Sequence, residues 1–358
     1  MRILIGSGSS GGHIFPAIAL ADELKNSKVE VLLVLPRKAL KLKGWRACGP
    51  VEYIHGANLT FKINRSNIVG LGLLLWGGWE SLLKVIKFKP DVAVGFGSLN
   101  TLALMFWAWL FRIKTIIHEQ NVIPGKANRL LSKFVDKVAV SFKQTANFLK
   151  IPQGKIVLTG NPLRKSLVKI DKLKSLDFFG FQEGKFNILI TGGSQGAHKL
   201  NSACLQALLN CPDRDRLQVI HISGEADFAQ LKRDYAASNI RHQVFDFFPE
   251  MQYAYSLADL VICRAGATTI AELQKFGLAA LLVPYPFAYA HQWHNAKVLE
   301  AAGAAEIIPE DGSLAESLQA KLEQLIRNGQ KLAAMRQGYL APKLDAACAL
   351  AREVLNLN

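Results

Sequence analysis

Short apolar, β-branched runs return along this chain at intervals that leave room for a helix, and this alternation limits the fold class before any motif is read. The runs are Arg2 to Ile5, Val31 to Leu35, Val92 to Val94, Thr115 to Ile117 and Lys137 to Val140, then Ile188 to Thr191, Val219 to Ile222, Leu260 to Cys263 and Ala280 to Val283. Strands this short and this continuously apolar are buried on both faces, and parallel neighbours need a helical crossover, so both halves read as α/β with parallel sheets. At 358 residues the chain can hold two such domains. Residues 8–13 (GSSGGH) and 193–198 (GSQGAH) each follow a strand run and lead into a helical pattern, which points to one plan used twice. The turn-forming tripeptide Gly160-Asn161-Pro162 marks the expected seam.

Charge is divided unevenly between the halves. Residues 1–162 carry 22 basic and 8 acidic side chains, net +14, so of the total of +15 the remainder carries only +1. A field concentrated in one domain suits an anionic partner: nucleic acid, an acidic membrane or a phosphorylated substrate. Half of the residues are hydrophobic and a fifth are charged, which excludes a disordered polyelectrolyte. The cysteines at 48, 204, 211, 263 and 348 form no CxxC pair and no zinc-ligand spacing, so a reducing compartment is expected. The opening MRILIGSGSSGGH reaches glycine too early for a signal-peptide core and is expected to belong to the fold.

Two apolar stretches bear on membranes. From Val92 to Phe111 there are twenty uncharged residues, enough by count to cross a bilayer. Gly95, Gly97, Ser98, Asn100 and Thr101 interrupt the stretch, so a buried strand, a turn and an apolar helix are expected instead. Leu71 to Trp79 (LGLLLWGGW) runs into Lys84, Lys87 and Lys89, and Phe106 to Phe111 ends at Arg112 and Lys114. Such segments are either core or, in so basic a domain, a seat on an anionic membrane.

Gly6, Gly8 and Gly11 spell GxGxxG after the first strand, a spacing that lets amides at a helix start approach a pyrophosphate. The acidic ribose ligand of a dinucleotide fold is missing, and Leu35, Pro36 and Arg37 stand in its place. Arg37 suits a 2′-phosphate, so an NADP-dependent oxidoreductase is one reading and a plain tight turn another. Thr191 to His198 (TGGSQGAH) offers Ser194 and helix amides to a phosphate by the same logic. Two such loops suit an enzyme gripping a nucleotide-linked donor better than they suit a dehydrogenase. In Cys263 to Glu272 (CRAGATTIAE), Glu272 lies one turn into a helix, where it either takes both hydroxyls of a ribose or only complements the helix dipole. Asp213-Arg214-Asp215 spells a metal-holding DxD in a polar loop far from the glycine turns, and His291 with His294 lacks a third ligand, so no metal is expected.

Read in order, GGH with Phe15-Pro16, HEQN (118–121) with Gly125 and Asn128-Arg129, GNPLR (160–164), GGSQGA (192–197), Cys263 to Gly266 with Glu272, and HQxxNA (291–296) resemble the MurG family across nearly the whole chain. These transferases move N-acetylglucosamine from UDP-N-acetylglucosamine to the undecaprenyl-pyrophosphoryl muramyl-pentapeptide of peptidoglycan synthesis. The resemblance implies a GT-B fold, two Rossmann-like domains facing across a deep cleft. Residues 1–162 would bind acceptor and membrane, with 343–358 packing back on them, and 163–342 would bind the UDP-sugar. It implies no metal and no cofactor, no nucleic acid, an anionic membrane surface as partner, and a peripheral place on the cytoplasmic face of the membrane. Oligomeric state is left open. Carried over by residue, uracil lies near Phe248 against backbone, and the ribose lies on Glu272. The diphosphate meets Ser194 and the first turn at Ala267, Thr268 and Thr269, continuing through Ile270 and Ala271, with Arg164 as cation. Gln292 and Asn295 take sugar hydroxyls, and Ser10, Gly11, Gly12 and Asn121 complete the donor site. His13 is the candidate base and Glu119 the second candidate. The chain departs from the family pattern at Ser10, usually Thr, and after Gly95, where GGYxSxP becomes Gly97-Ser98-Leu99-Asn100-Thr101-Leu102-Ala103. A related transferase with another lipid-linked acceptor is the nearest alternative.

Overall fold

The computed structural model describes every residue except Lys43, 46–48, 58–64, 194–195, 287–290, 340–344 and Asn358; for 65–68 it describes the backbone alone. The chain divides into two units, Met1–Lys165 with Leu344–Asn358, and Ser166–Lys343.

The first unit runs β1 (Arg2–Ser7), α1 (Gly11–Leu24), β2 (Glu30–Pro36), β3 (Val51–Ile54), α2 (Arg65–Phe88), β4 (Val92–Phe96), α3 (Leu99–Leu110), β5 (Lys114–Glu119), α4 (Lys126–Leu131), β6 (Lys137–Val140) and β7 (Ile156–Leu158). All its strand pairs are parallel, in the order β3-β2-β1-β4-β5-β6-β7. Ile3, Leu4 and Ile5 show why the strand runs lack polar alternation. Ile3 and Ile5 pack with Ile14 and Leu20 of α1 on one face of the sheet, while Leu4 packs with Val85 of α2 and Leu104 of α3 on the other.

The second unit runs α5 (Lys172–Phe179), β8 (Phe186–Thr191), α6 (His198–Leu209), β9 (Leu217–Ile222), α7 (Glu225–Ala236), β10 (Arg241–Phe245), α8 (Met251–Leu257), β11 (Leu260–Cys263), α9 (Ala267–Phe276), β12 (Ala280–Leu282), α10 (His291–Ala301), β13 (Ala305–Ile307), α11 (Leu314–Arg327) and α12 (Gly329–Gln337). Its parallel sheet has the order β10-β9-β8-β11-β12-β13. Counted within each unit the order of the first six strands is 3-2-1-4-5-6 in both, with β7 added beyond β6 in the first, so GSSGGH and GSQGAH occupy equivalent turns after the first strand. The order reverses between β1 and β4 and between β8 and β11, the positions where doubly wound sheets leave a crevice for ligands. The last helix, α13 (Ala346–Leu355), belongs to the first unit: Leu350, Ala351 and Val354 join the α1 side of its core, and Lys137 Nζ pairs with Glu353 at 2.6 Å.

The uncharged run from 92 to 111 divides into β4, a Gly97-Ser98 turn and α3. Among the described residues the helix long and apolar enough to cross a membrane is instead Val69–Phe88 of α2, only 22% of which is buried in its most apolar window.

Candidate active site

In the first unit the loop after β1 turns sharply into α1. The Ser10 carbonyl accepts from the amides of His13 and Ile14, both at 3.0 Å, and the Ser10 hydroxyl lies 2.7 Å from His13 Nδ1. Glycine is required at position 8, where a Cβ would come within 2.7 Å of Ser98 Cβ and 3.1 Å of His13 Nδ1. A Cβ on Gly97 would meet His13 Nε2 at 3.3 Å, so the ring lies between the loops after β1 and β4. Burial pulls the His13 pKa down to about 4, leaving a neutral imidazole at pH 7. With Nδ1–H given to Ser10 Oγ, Nε2 keeps its lone pair. Next to Gly97, Ser98 has φ 77° and ψ 151°, a glycine region, and it stands where the family pattern has glycine. Such a backbone costs about 1–3 kcal/mol.

At the end of β5 Glu119 is buried, and its carboxylate bonds within its own loop: Oε1 accepts from the backbone and side-chain amides of Asn121 (2.9 and 3.3 Å), and Oε2 accepts from Gly125 N (3.0 Å) and Asn128 Nδ2 (2.8 Å). With these four donors on it, the carboxylate of Glu119, the second candidate base, shapes residues 119–128. Beside it His118 Nε2–H donates to Gly160 O at 2.9 Å, and burial pulls its pKa down to about 4. Arg164 stacks over Phe15, 4.6 Å from the ring centroid, and Asn121 is held by Glu119. Ser10 and Gly12 are exposed and Gly11 is buried.

In the second unit Gly266 caps α9, so the cap position brings no side chain to the first turn at Ala267, Thr268 and Thr269. Glu272 follows one turn later, its Oε2 accepting from the Tyr255 hydroxyl at 2.7 Å. Gln292 Oε1 accepts from Tyr285 N at 2.9 Å. Phe248 is buried against Phe179 and Phe245, which leaves only its backbone for a ligand. The loop after β8 needs Gly196, where a Cβ would collide with the Ser223 carbonyl. Ser194, expected to meet the diphosphate, lies outside the described residues.

Ile270 is fully buried and its amide donates to Gly266 O at 2.9 Å. Asn295 is also fully buried and donates to Ala265 O at 3.2 Å, which ties α10 to the loop before α9. Ala271 is half-buried on α9. Asp213 of the DxD pairs with Arg327 at 2.8 Å, and among the described residues no three His, Cys, Asp or Glu side chains cluster as metal ligands. Sequence reasoning passed over Tyr255, which has no motif around it, and Arg264, whose place inside CRAG was visible.

The chain matches the glycosyltransferase family 28 N-terminal domain over residues 3–140 and its C-terminal domain over residues 187–349. It is 37% identical to the UDP-N-acetylglucosamine--N-acetylmuramyl-(pentapeptide) pyrophosphoryl-undecaprenol N-acetylglucosamine transferase of Thermodesulfovibrio yellowstonii, covering 95% of this chain and 94% of that one. Among solved structures it is similar to Acinetobacter baumannii MurG, with a TM-score of 0.75, 27% identity and 99% of both chains covered. A UDP-GlcNAc 2-epimerase from Neisseria meningitidis bound to UDP-GlcNAc has nearly the same TM-score, 0.73, at 17% identity and full coverage of both chains. The GT-B fold is therefore shared by enzymes with different chemistry, and sequence identity separates them. By that identity over almost its whole length, the chain belongs to the family of UDP-N-acetylglucosamine--N-acetylmuramyl-(pentapeptide) pyrophosphoryl-undecaprenol N-acetylglucosamine transferases.

Proposed function

We propose that this protein transfers N-acetylglucosamine from UDP-N-acetylglucosamine to an undecaprenyl-pyrophosphoryl muramyl-pentapeptide, making the lipid-linked disaccharide of peptidoglycan synthesis. The observation that carries the reading is the glycine-led start of α9 with Glu272, bonded to Tyr255, one turn beyond it. Together they offer amides to a diphosphate and a carboxylate to a ribose, in a chain of this family. The reaction is one inverting displacement. The acceptor hydroxyl loses its proton to His13 Nε2, its oxygen bonds to the anomeric carbon, and the bond to the UDP oxygen breaks with the electron pair leaving on the diphosphate. A helix terminus stabilises that charge by at most about 2 kcal/mol and a charge-assisted hydrogen bond, as from Arg164, by about 1.5–3. Positioning of the two substrates supplies much of the remainder of the roughly 8 kcal/mol that enzymes reach at minimum. In this reading amides and Arg164 meet the leaving charge, and neither metal nor cofactor is needed. The test is an assay with UDP-N-acetylglucosamine and a short-chain lipid acceptor, with Glu272→Ala beside the native protein. Transfer by the native protein and a donor Kd raised about ten- to a hundredfold in the variant are expected, from the charge-assisted bonds lost. An unchanged Kd would remove the ribose role.

We further propose that the first unit lies on the cytoplasmic face of the membrane. The exposed side chains of α2 include Trp76, Trp79, Leu83 and Ile86, spaced three or four residues apart, with Val69 two turns before Trp76, while Gly77 and Gly78 face inward. A Cβ on Gly77 would collide with the His55 carbonyl, and Trp107 Nε1 donates to Gly78 O at 2.9 Å, so the small residues let α2 sit close to its own unit. Phe106, Trp109 and Phe111 of the α3 end, with Phe134 against Trp109, continue the exposed aromatic surface in the unit that carries the basic excess. Vesicles containing anionic lipid should co-sediment the protein, less so at high salt. Trp76→Gln with Trp79→Gln should weaken that binding and leave turnover on a soluble acceptor unchanged. Equal sedimentation with and without the tryptophans would refute the surface.

A further inference from the structure

We infer that the buried pair Arg264–Glu310 positions the donor site, holding three loops at the strand ends of the second unit in register; the inference rests on the reading of that unit as the donor-binding one. Arg264 is the first residue after β11 and is 8% exposed. One guanidinium nitrogen, Nη1, donates to the carbonyl of Val283, just past β12, at 3.1 Å. Nη2 pairs with the carboxylate of Glu310, which follows β13 and whose side chain is 3% exposed. Its Cζ lies 5.5 Å from the centroid of the Tyr285 ring.

The contacts then close a circuit. Tyr285 gives its amide to Gln292 in the first turn of α10, Asn295 of that helix donates to Ala265, and Ala265 adjoins both Arg264 and the Gly266 that begins α9. The loops that precede the α9 amides and that carry Gln292 thus meet on a single planar, five-donor side chain. Both side chains of the pair are buried. Burying two charges costs several kcal/mol, and a well-packed apolar pair serves stability as well or better, so stability alone does not account for an ion pair here. What the guanidinium adds is one planar group that donates from Nη1 to the Val283 carbonyl while Nη2 carries the charge that pairs with Glu310. Arg264 and Glu310 act through the loops and are positioning residues, not catalytic ones.

The test compares Arg264→Met, Glu310→Leu, the double variant and Arg264→Lys with the native protein. Urea denaturation, kcat, and the KM of UDP-N-acetylglucosamine and of the lipid acceptor are measured for each, with calorimetry of UDP binding. Each single apolar variant leaves one buried charge unpaired and is expected to lose stability and donor kcat/KM together. The double variant is expected to regain native stability while its donor kcat/KM stays at least tenfold low and its acceptor KM stays within twofold of native. Arg264→Lys keeps the charge but not the fork, and is expected to fold with a raised donor KM. Recovery of donor kcat/KM in the double variant, equal losses toward donor and acceptor, or a native donor KM in Arg264→Lys would each overturn the positioning role. Native protein that binds no UDP would take down the donor-unit reading along with it; native UDP binding with an unimpaired double variant would take down the clamp alone.

Discussion

Alanine at position 13 is expected to lower kcat by about 10²- to 10⁴-fold, the contribution typical of a positioned general base, with the KM of the donor changed far less. The geometry behind the size of the effect is specific. The Ser10 carbonyl holds the start of α1, the Ser10 hydroxyl takes the Nδ1 side of the ring, and Nε2 is directed toward Gly97 at the strand-order reversal. Burial holds the free ring near pKa 4, so it is neutral and able to accept a proton across the whole physiological range. An anionic diphosphate arriving with either substrate favours the protonated form and raises the basicity of the ring during the reaction. The pH profile separates this role from loop capping. The profile of kcat/KM, which reports the free enzyme, should stay flat from pH 8 down to about 5.5, without the inflection near 6.5 that an exposed histidine would give. Ser10→Ala, which removes only the tautomer-setting hydroxyl, should cost less than His13→Ala. A kcat within threefold of native in His13→Ala, at saturating substrates, would end the base assignment.

What the sequence made legible follows burial. The strands read from apolar runs, β1, β2, β4, β5, β6, β8, β9, β11 and β12, include every interior strand of both sheets. The four that escaped, β3, β7, β10 and β13, are the four sheet edges. An edge strand is covered on fewer sides: VEYI, IVL, RHQVF and AEI are half-buried or exposed at most of their positions, so nothing requires their sequences to be continuously apolar. The glycine turns could be read for the opposite reason, because the constraint is local: a Cβ at Gly8 or Gly196 has nowhere to go. Roles that depend on a partner distant in sequence could not be read. The bonds from Asn121, Gly125 and Asn128 to the Glu119 carboxylate, and the burial of Asn295 beneath its helix, are set by packing that no motif reveals. Tyr255 is set on Glu272 by the packing of α8 beside α9, which no spacing reveals. The echo of GSSGGH and GSQGAH carried the most: six residues repeated in one context foretold two sheets with one strand order.

Acidification should destabilise the protein well before its carboxylates protonate, because desolvation keeps three histidines neutral, His118 and His221 fully buried and His13 partly so. His13 and His118 in the first unit are held to about 4, and His221 in the second to about 3, each by burial. Hydrogen bonding fixes the neutral tautomer in two of them. His118 gives Nε2–H to Gly160 O and accepts at Nδ1 from Gln120, while His221 gives Nε2–H to Asn201 Oδ1 and accepts at Nδ1 from the Tyr235 hydroxyl. A second proton on either ring turns an acceptor into a donor facing a donor. The sign follows from proton counting: between pH 6.5 and the folded values the unfolded chain binds more protons, so the unfolding free energy is full above 6.5 and falls as the pH drops. At about 1.4 kcal/mol per unit, His13 and His118 each account for a loss of about 3 kcal/mol by pH 4, against a typical total of about 5–15. The first unit loses more than either ring would cost alone, because a charge on His13 further disfavours one on His118. Asp227 and Asp259, whose partners hold them below the ordinary carboxylate value, release their stabilisation only at lower pH, which leaves the window from 6.5 to 4.5 to the histidines. Urea midpoints measured at half-unit steps from pH 8 to 4.5 should therefore be level down to about 6.5 and then decline. His118→Gln should start lower and decline less steeply. A midpoint independent of pH across that window would show that the rings are not carried into the folded state as neutral, buried groups.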